Sequence, residues 1–158
     1  MARIIHSAWT AVSASLAALP SDTALTSGRA TAVVNSSGGA LDYQWSGKLA
    51  IATCAGNRKV EIWAYSVVGA SAFPADVSGE GLADVSGMKD TLRLVDIIPV
   101  VTTASAVYGF GPYSMAKVFD GFPPRRHGLF FTQNTGDPFN TVHANSVVGY
   151  NTVEVTAN

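Results

Sequence analysis

One cysteine, Cys54, leaves this sequence with no internal disulfide and no multi-cysteine zinc site. The three histidines, His6, His127 and His143, are too scattered for the close ligand pairing that marks most metal centres. Charge is scarce as well: Asp, Glu, Lys and Arg make up 13% of the 158 residues, and the net charge is −1. That balance excludes the basic footprint of a nucleic-acid binder and the charged, apolar-poor composition of a disordered chain. No run approaches the ~20 apolar residues of a membrane-spanning helix. Arg3 and the Ala-rich stretch after it loosely imitate an export signal, but Ser7, Thr10, Ser13 and Ser15 interrupt its apolar core, so export is not expected. Neither nucleic acid nor a membrane is an expected partner.

Catalytic signatures are missing too. There is no phosphate-cradling Gly-x-x-x-x-Gly-Lys-Ser/Thr loop and no Gly-x-Ser-x-Gly elbow. Gly109-Phe-Gly111-Pro lacks the third glycine and the following helix of a dinucleotide site, and reads as a strand bulge. Asp76, Glu80, Asp84 and Asp90 share one stretch without the alternating spacing of a calcium loop, and read as solvated polar residues. His127 and His143 could meet Asp137 or Asp120 around a metal, but lacking paired spacing they read as a surface residue beside Arg125 and Arg126 and a satisfied strand or turn residue. Cys54, with no base beside it, reads as a small buried residue. No catalytic residue, metal or cofactor is expected, and the protein is expected not to be an enzyme.

What is present is a 47% hydrophobic chain of one-domain size, long enough to bury roughly 70% of its unfolded surface without a staple. A small monomer normally carries about a quarter to a third of its surface as charged residues. This chain falls well short, so much of its surface is expected to lie against other protein.

The chain divides into residues 1–20, an N-terminal arm or short helix, and residues 21–158, a β-sandwich. Val12, Leu16 and Leu19 fall at helical spacing and Pro20 stops the run. Beyond it the period changes. Arg29 to Asn35, Leu41 to Ile51, Lys59 to Tyr65, Thr91 to Thr103, Val107 to Phe119, His127 to Asn134, Phe139 to His143 and Ser146 to Val155 read as strands separated by Gly, Pro, Asn and Ser turns. Pro99 points to an edge or bulge. About eight antiparallel strands in two sheets suit an all-β, jelly-roll-like sandwich. In the clearest strand, Val60, Ile62 and Ala64 share one face while Lys59, Glu61, Trp63 and Tyr65 share the other, and Phe130 lies opposite Leu129 and Phe131. Trp63, Tyr65 and Phe130 are therefore expected to point away from the sandwich interior, under a further layer or a partner. Residues 69–90 have no core-building period and read as a long binding loop.

Several stretches resemble, in order and spacing, a group of uncharacterised tailed-bacteriophage virion proteins. They are Leu16-Ala-Ala-Leu19 with Gly28-Arg29 and Asn35; Leu41-Asp42-Tyr43 and Gly47-Lys48; Val60-Glu61-Ile62-Trp63; Phe110-Gly111-Pro112; Phe119 to Pro123 leading into Gly128-Leu129-Phe130; Asn134-Thr135-Gly136; and His143-Ala144-Asn145 with Tyr150 to Val153. The Gly- and Ala-rich stretch 69–90 departs from the more polar loop usual in that group. The resemblance implies a structural virion component assembled in the host cytoplasm: a capsid decoration, or cement, protein that binds the outer head shell and bridges coat subunits. Its partners would be the major capsid protein and further copies of itself, as a dimer or trimer. The alternative is a tail, baseplate or fibre module for adaptor or host-glycan binding, with Trp45 and Trp63 stacking on sugars. The residues expected to touch partners are Ile4, His6 and Trp9 of the arm, Trp63 and Tyr65 of the central strand, Phe73 of the long loop, and the Arg125-Arg126 pair. Removal of residues 1–20 is expected to abolish binding and spare the fold.

Overall fold

The computed structural model describes residues 2–36, 38–54, 58–68, 71–73, 82–86, 89–101, 104–140 and 146–157. Among them twelve strands form: β1 (Ala2–His6), β2 (Thr10–Val12), β3 (Ser27–Ala30), β4 (Val34–Asn35), β5 (Ala40–Ile51), β6 (Arg58–Val68), β7 (Ser71–Phe73), β8 (Leu82–Asp84), β9 (Arg93–Val100), β10 (Ala106–Ser114), β11 (Arg126–Gln133) and β12 (Val147–Ala157). One short helix, α1 (Met115–Val118), follows β10. The class is all-β and every pairing of these strands is antiparallel, as the alternating runs predict. Sheet one has the order β1-β12-β5-β10, with β2 also on β12. Sheet two has the order β7-β6-β11-β3-β8, with β9 also on β6 and β4 also on β11.

The sheets face each other across one core. Tyr43, Trp45, Leu49 and Ile51 of β5 line one wall, and Val60, Ile62 and Ala64 of β6 with Leu129 and Phe131 of β11 line the other. Ring contacts span the gap: Phe110 to Phe131 at 5.8 Å, and Trp45 and Tyr43 to His127 at 5.9 and 4.8 Å between centroids. Each such buried side chain contributes roughly 1.5–3 kcal/mol. The Gly109–Pro112 stretch is the expected bulge, seen as a register shift between Phe110 and Tyr113. Gly111 takes φ +80° there, and a Cβ on it would lie 2.3 Å from the Trp45 carbonyl oxygen, so glycine is required. Pro99 lies on β9, which among the described residues pairs only with β6, and so keeps to an edge. Cys54 is buried, its thiol 3.5 Å from the Val100 carbonyl.

Several expectations change. Of the two readings for residues 1–20, the short helix does not form; Thr10–Val12 pairs instead with Val148–Tyr150, far along the chain. The following carbonyls are occupied by side chains: Arg29 donates to Ser15 and Ala17, and Gln133 to Leu19. Leu16 and Leu19 are wholly buried in the core, so removing residues 1–20 is now expected to open the fold rather than spare it. The single strand over Arg29–Asn35 is two pieces, β3 and β4, both borrowing hydrogen bonds from β11. Within 69–90, β7 and β8 extend sheet two, and the rest of the loop reading lies partly outside the described residues. His127 is not a surface residue but fully buried between the sheets. Of the expected strand Phe139–His143, Phe139 bridges to Ile51, and 141–143 lie outside the described residues.

The outer face of sheet two is not bare. Tyr65, Val67, Phe130 and Ala30 form a second core with Ala83 of β8, Val85 just after it, and Leu92 just before β9. Tyr65 is 0% exposed and donates a hydrogen bond to the Thr31 carbonyl at 2.8 Å; burial pushes its hydroxyl up to about 12.

Candidate interaction surface

Sheet one lacks such a cover on its outer face among the described residues. Strand alternation sends Tyr43, Trp45, Val148 and Tyr150 inward and leaves Gln44, Ser46, Lys48, Val147, Gly149 and Asn151 outward. Most of these are small or neutral. Trp9, in the link between β1 and β2, lies on this platform with its indole N–H donating to Ser46 Oγ at 3.2 Å. Gly149 makes room for it, since a Cβ there would sit 2.4 Å from the Trp9 ring. Trp9 is nevertheless 43% exposed.

The same face continues along the β1–β12 ribbon. Ile4 pairs directly with Val155, and His6 with Val153, so their side chains share one side. Ile4 is 64% and Val155 47% exposed. At the other edge Val107 of β10 is also open to solvent. The result is a half-apolar strip over small polar residues, with Lys48 the exposed cation in its middle.

The expected contact residues do not converge on one site. Ile4, His6 and Trp9 lie exposed on sheet one. Trp63 lies on the opposite side of the molecule, half-buried, with its N–H on Glu61 at 3.2 Å and the Lys89 ammonium 4.8 Å from its ring centroid. Glu61 also pairs with Lys59 and Lys89 at 2.6 Å each. Burial raises its pKa, but the hydrogen bonds and charges of the two lysines outweigh that and hold it below the ordinary value. Tyr65 is not an exposed contact but a core residue, fully buried in a cluster with Ala83, Val85 and Leu92. Arg125 is exposed and Arg126 half-buried at the start of β11. Phe73 contributes backbone to β7, and its side chain lies outside the described residues. Trp45, expected as a sugar platform, is fully buried.

His127 Nδ1 carries its proton toward the Pro124 carbonyl at 3.1 Å, since a carbonyl only accepts. Burial pulls its pKa down to about 4, so the ring is neutral at pH 7 and sealed among Tyr43, Trp45 and the strands. Among the described residues no three His, Cys, Asp or Glu side chains gather as a metal site, and no helix is long and apolar enough to cross a membrane. Val107, Val147, Val155 and Phe122 are exposed apolar groups that sequence reading missed. Only Phe122 carried a local signal, an aromatic set among the turn-formers Asp120, Gly121, Pro123 and Pro124. No protein-family model, curated protein or solved structure matches the chain.

Proposed function

We propose that this protein is a structural component of a tailed-bacteriophage virion, a decoration protein that binds the outside of the head shell and bridges coat subunits. It works by binding alone. The observation that carries this reading is the uncovered outer face of sheet one, where Ile4, Trp9, Val107, Val147 and Val155 stand exposed among small polar residues on a chain with 13% charge. Apolar strips rimmed by polar groups mark protein contacts, and Trp9, held by Ser46 and half open, has the character of an anchoring aromatic. The ordered likeness from Leu16 to Val155 supports the virion setting. Many copies on one shell add modest contacts through effective concentration, so no single interface has to be strong.

Trp45 is fully buried and the Lys89 ammonium stands over one face of the Trp63 ring, which weighs against sugar stacking and the glycan-binding fibre. The test is location and copy number by quantitative mass spectrometry of purified particles and their separated heads and tails. A copy number comparable to that of the coat subunit, in the head fraction, is the expected result. A few copies confined to tails, or absence from particles, overturns it.

A further inference from the structure

A second surface, built from β9, the end of β10, and α1 with the turn after it, has the parts of a self-association site. Phe122 is 83% exposed, the most open large hydrophobic side chain among the described residues. It is not on a loose loop. On its N-terminal side α1 is capped by Ser114 and closed by Phe119 N–H to the Met115 carbonyl, after which Gly121 N–H returns to the Ala116 carbonyl at 2.7 Å. Asp120 and Gly121, at φ 61° and 127°, turn the chain outward. On its C-terminal side the Pro124 carbonyl accepts from Ser36 Oγ at 2.6 Å and faces His127 Nδ1, and the Arg125 carbonyl accepts from Ser36 N–H. A rigid turn thus holds an aromatic ring in water, the pre-organised state that makes an effective anchor.

Beside it is a groove of about 650 Å³, whose apolar walls include Leu94, Val95, Pro112 and Val118 and whose charged lining is Arg93 and Lys117. Leu94 is 47% exposed in it. The groove and the knob belong to one patch, because α1 lines the first and leads into the second, and Arg93 reaches Asp120 at 3.6 Å. Phe122, being almost fully exposed, does not fill this groove itself.

We propose that the occupant is a second copy of this chain, docked about a twofold axis so that each Phe122 enters the other copy's groove. A knob and a hole adjoining on one patch satisfy a twofold contact, in which each surface meets its own image. Charge agrees: Asp120, two residues before Phe122, arrives with it at the Arg93 and Lys117 rim of the second copy. The intramolecular Arg93–Asp120 pair is long and largely exposed, so exchanging it between copies costs little. This inference is independent of the virion reading, since it concerns the purified chain alone.

Sedimentation equilibrium of the full chain from micromolar to millimolar concentration tests it. A monomer–dimer equilibrium is expected, with Phe122→Ser and, separately, Leu94→Lys each weakening dimerisation by about tenfold or more. Both positions are solvent-exposed, so thermal melts of the variants are expected to match the wild type. Mixing the two variants is expected to restore part of the association, because one intact knob and one intact groove then meet. A wild type that stays monomeric at every concentration, a dimer unaffected by Phe122→Ser, or a mixture no better associated than either variant overturns the proposal. Particle location and copy number leave this result untouched, so the two readings fail separately.

Discussion

The two outer faces of this sandwich began with similar strand patterns and ended in opposite conditions. On sheet two, Tyr65 and Phe130 alternate outward and are enclosed by Ala83, Val85 and Leu92. On sheet one, the outward positions of β5 and β12 are Gln44, Ser46, Lys48, Val147, Gly149 and Asn151, and among the described residues it is Trp9 that lies over them. Large outward aromatics draw the chain back over themselves, because leaving them in water forfeits a few kcal/mol each. Small polar ones do not, so that face remains available to another molecule. The comparison separates two uses of an apolar side chain that look alike in sequence.

The sharpest way to break this comparison is to truncate one residue on each face. Phe130→Ala is expected to destabilise by about 3–5 kcal/mol in chemical denaturation, and Val107→Ala on sheet one by less than about 0.5 kcal/mol. Equal losses would mean that the second core is not closed.

Next in size is an acid effect in the core both sheets share. His127 has its pKa lowered from 6.5 to about 4 by burial. Between those values the unfolded chain binds the proton and the folded chain does not, so stability is full above pH 6.5 and falls as pH drops toward 4. The loss is about 3 kcal/mol. Urea titrations at pH 7 and pH 4.5 check it, and His127→Phe should remove much of the dependence in that window. A smaller effect belongs to sheet two. Glu61→Ala leaves Lys59, Lys89 and the Trp63 N–H without their shared acceptor, and should cost about 2 kcal/mol, with Glu61→Gln costing less. The smallest stability effect is expected from Trp9→Ala, below about 1 kcal/mol. In the proposed function the same change should release the protein from heads in a pull-down with purified particles, and retention equal to wild type would remove Trp9 from the interface.

Much of the fold was legible. The alternation of Val60, Ile62 and Ala64 against Glu61, Trp63 and Tyr65 is the alternation the sheets use, and Gly111-Pro112 bends β10 where the sequence said it would. The candidate site was legible only in part. Ile4, His6 and Trp9 were identified as outward residues of an arm, but their neighbour Val155 lies 151 positions from Ile4 in the numbering and becomes one only through the β1–β12 register. The helical spacing of Val12, Leu16 and Leu19 misled for the same reason. A short local periodicity gains little by itself, whereas Thr10–Val12 and Ala2–His6 complete the edge of a sheet whose partner strand is the last in the chain.

The sequence by itself determined the class: scarce charge, one cysteine, and strand-length alternating runs between turn-formers admit a two-sheet antiparallel domain and little else. It also determined which residues alternate together on each strand. Only the tertiary structure decided which of those faces meets water, because a strand's two sides are equivalent until another segment packs on one of them. Tyr65 became core because Ala83, Val85 and Leu92 pack with it. Trp9 and Ile4 stayed exposed because, among the described residues, no segment beyond β1, β2 and the link between them lies over that part of sheet one.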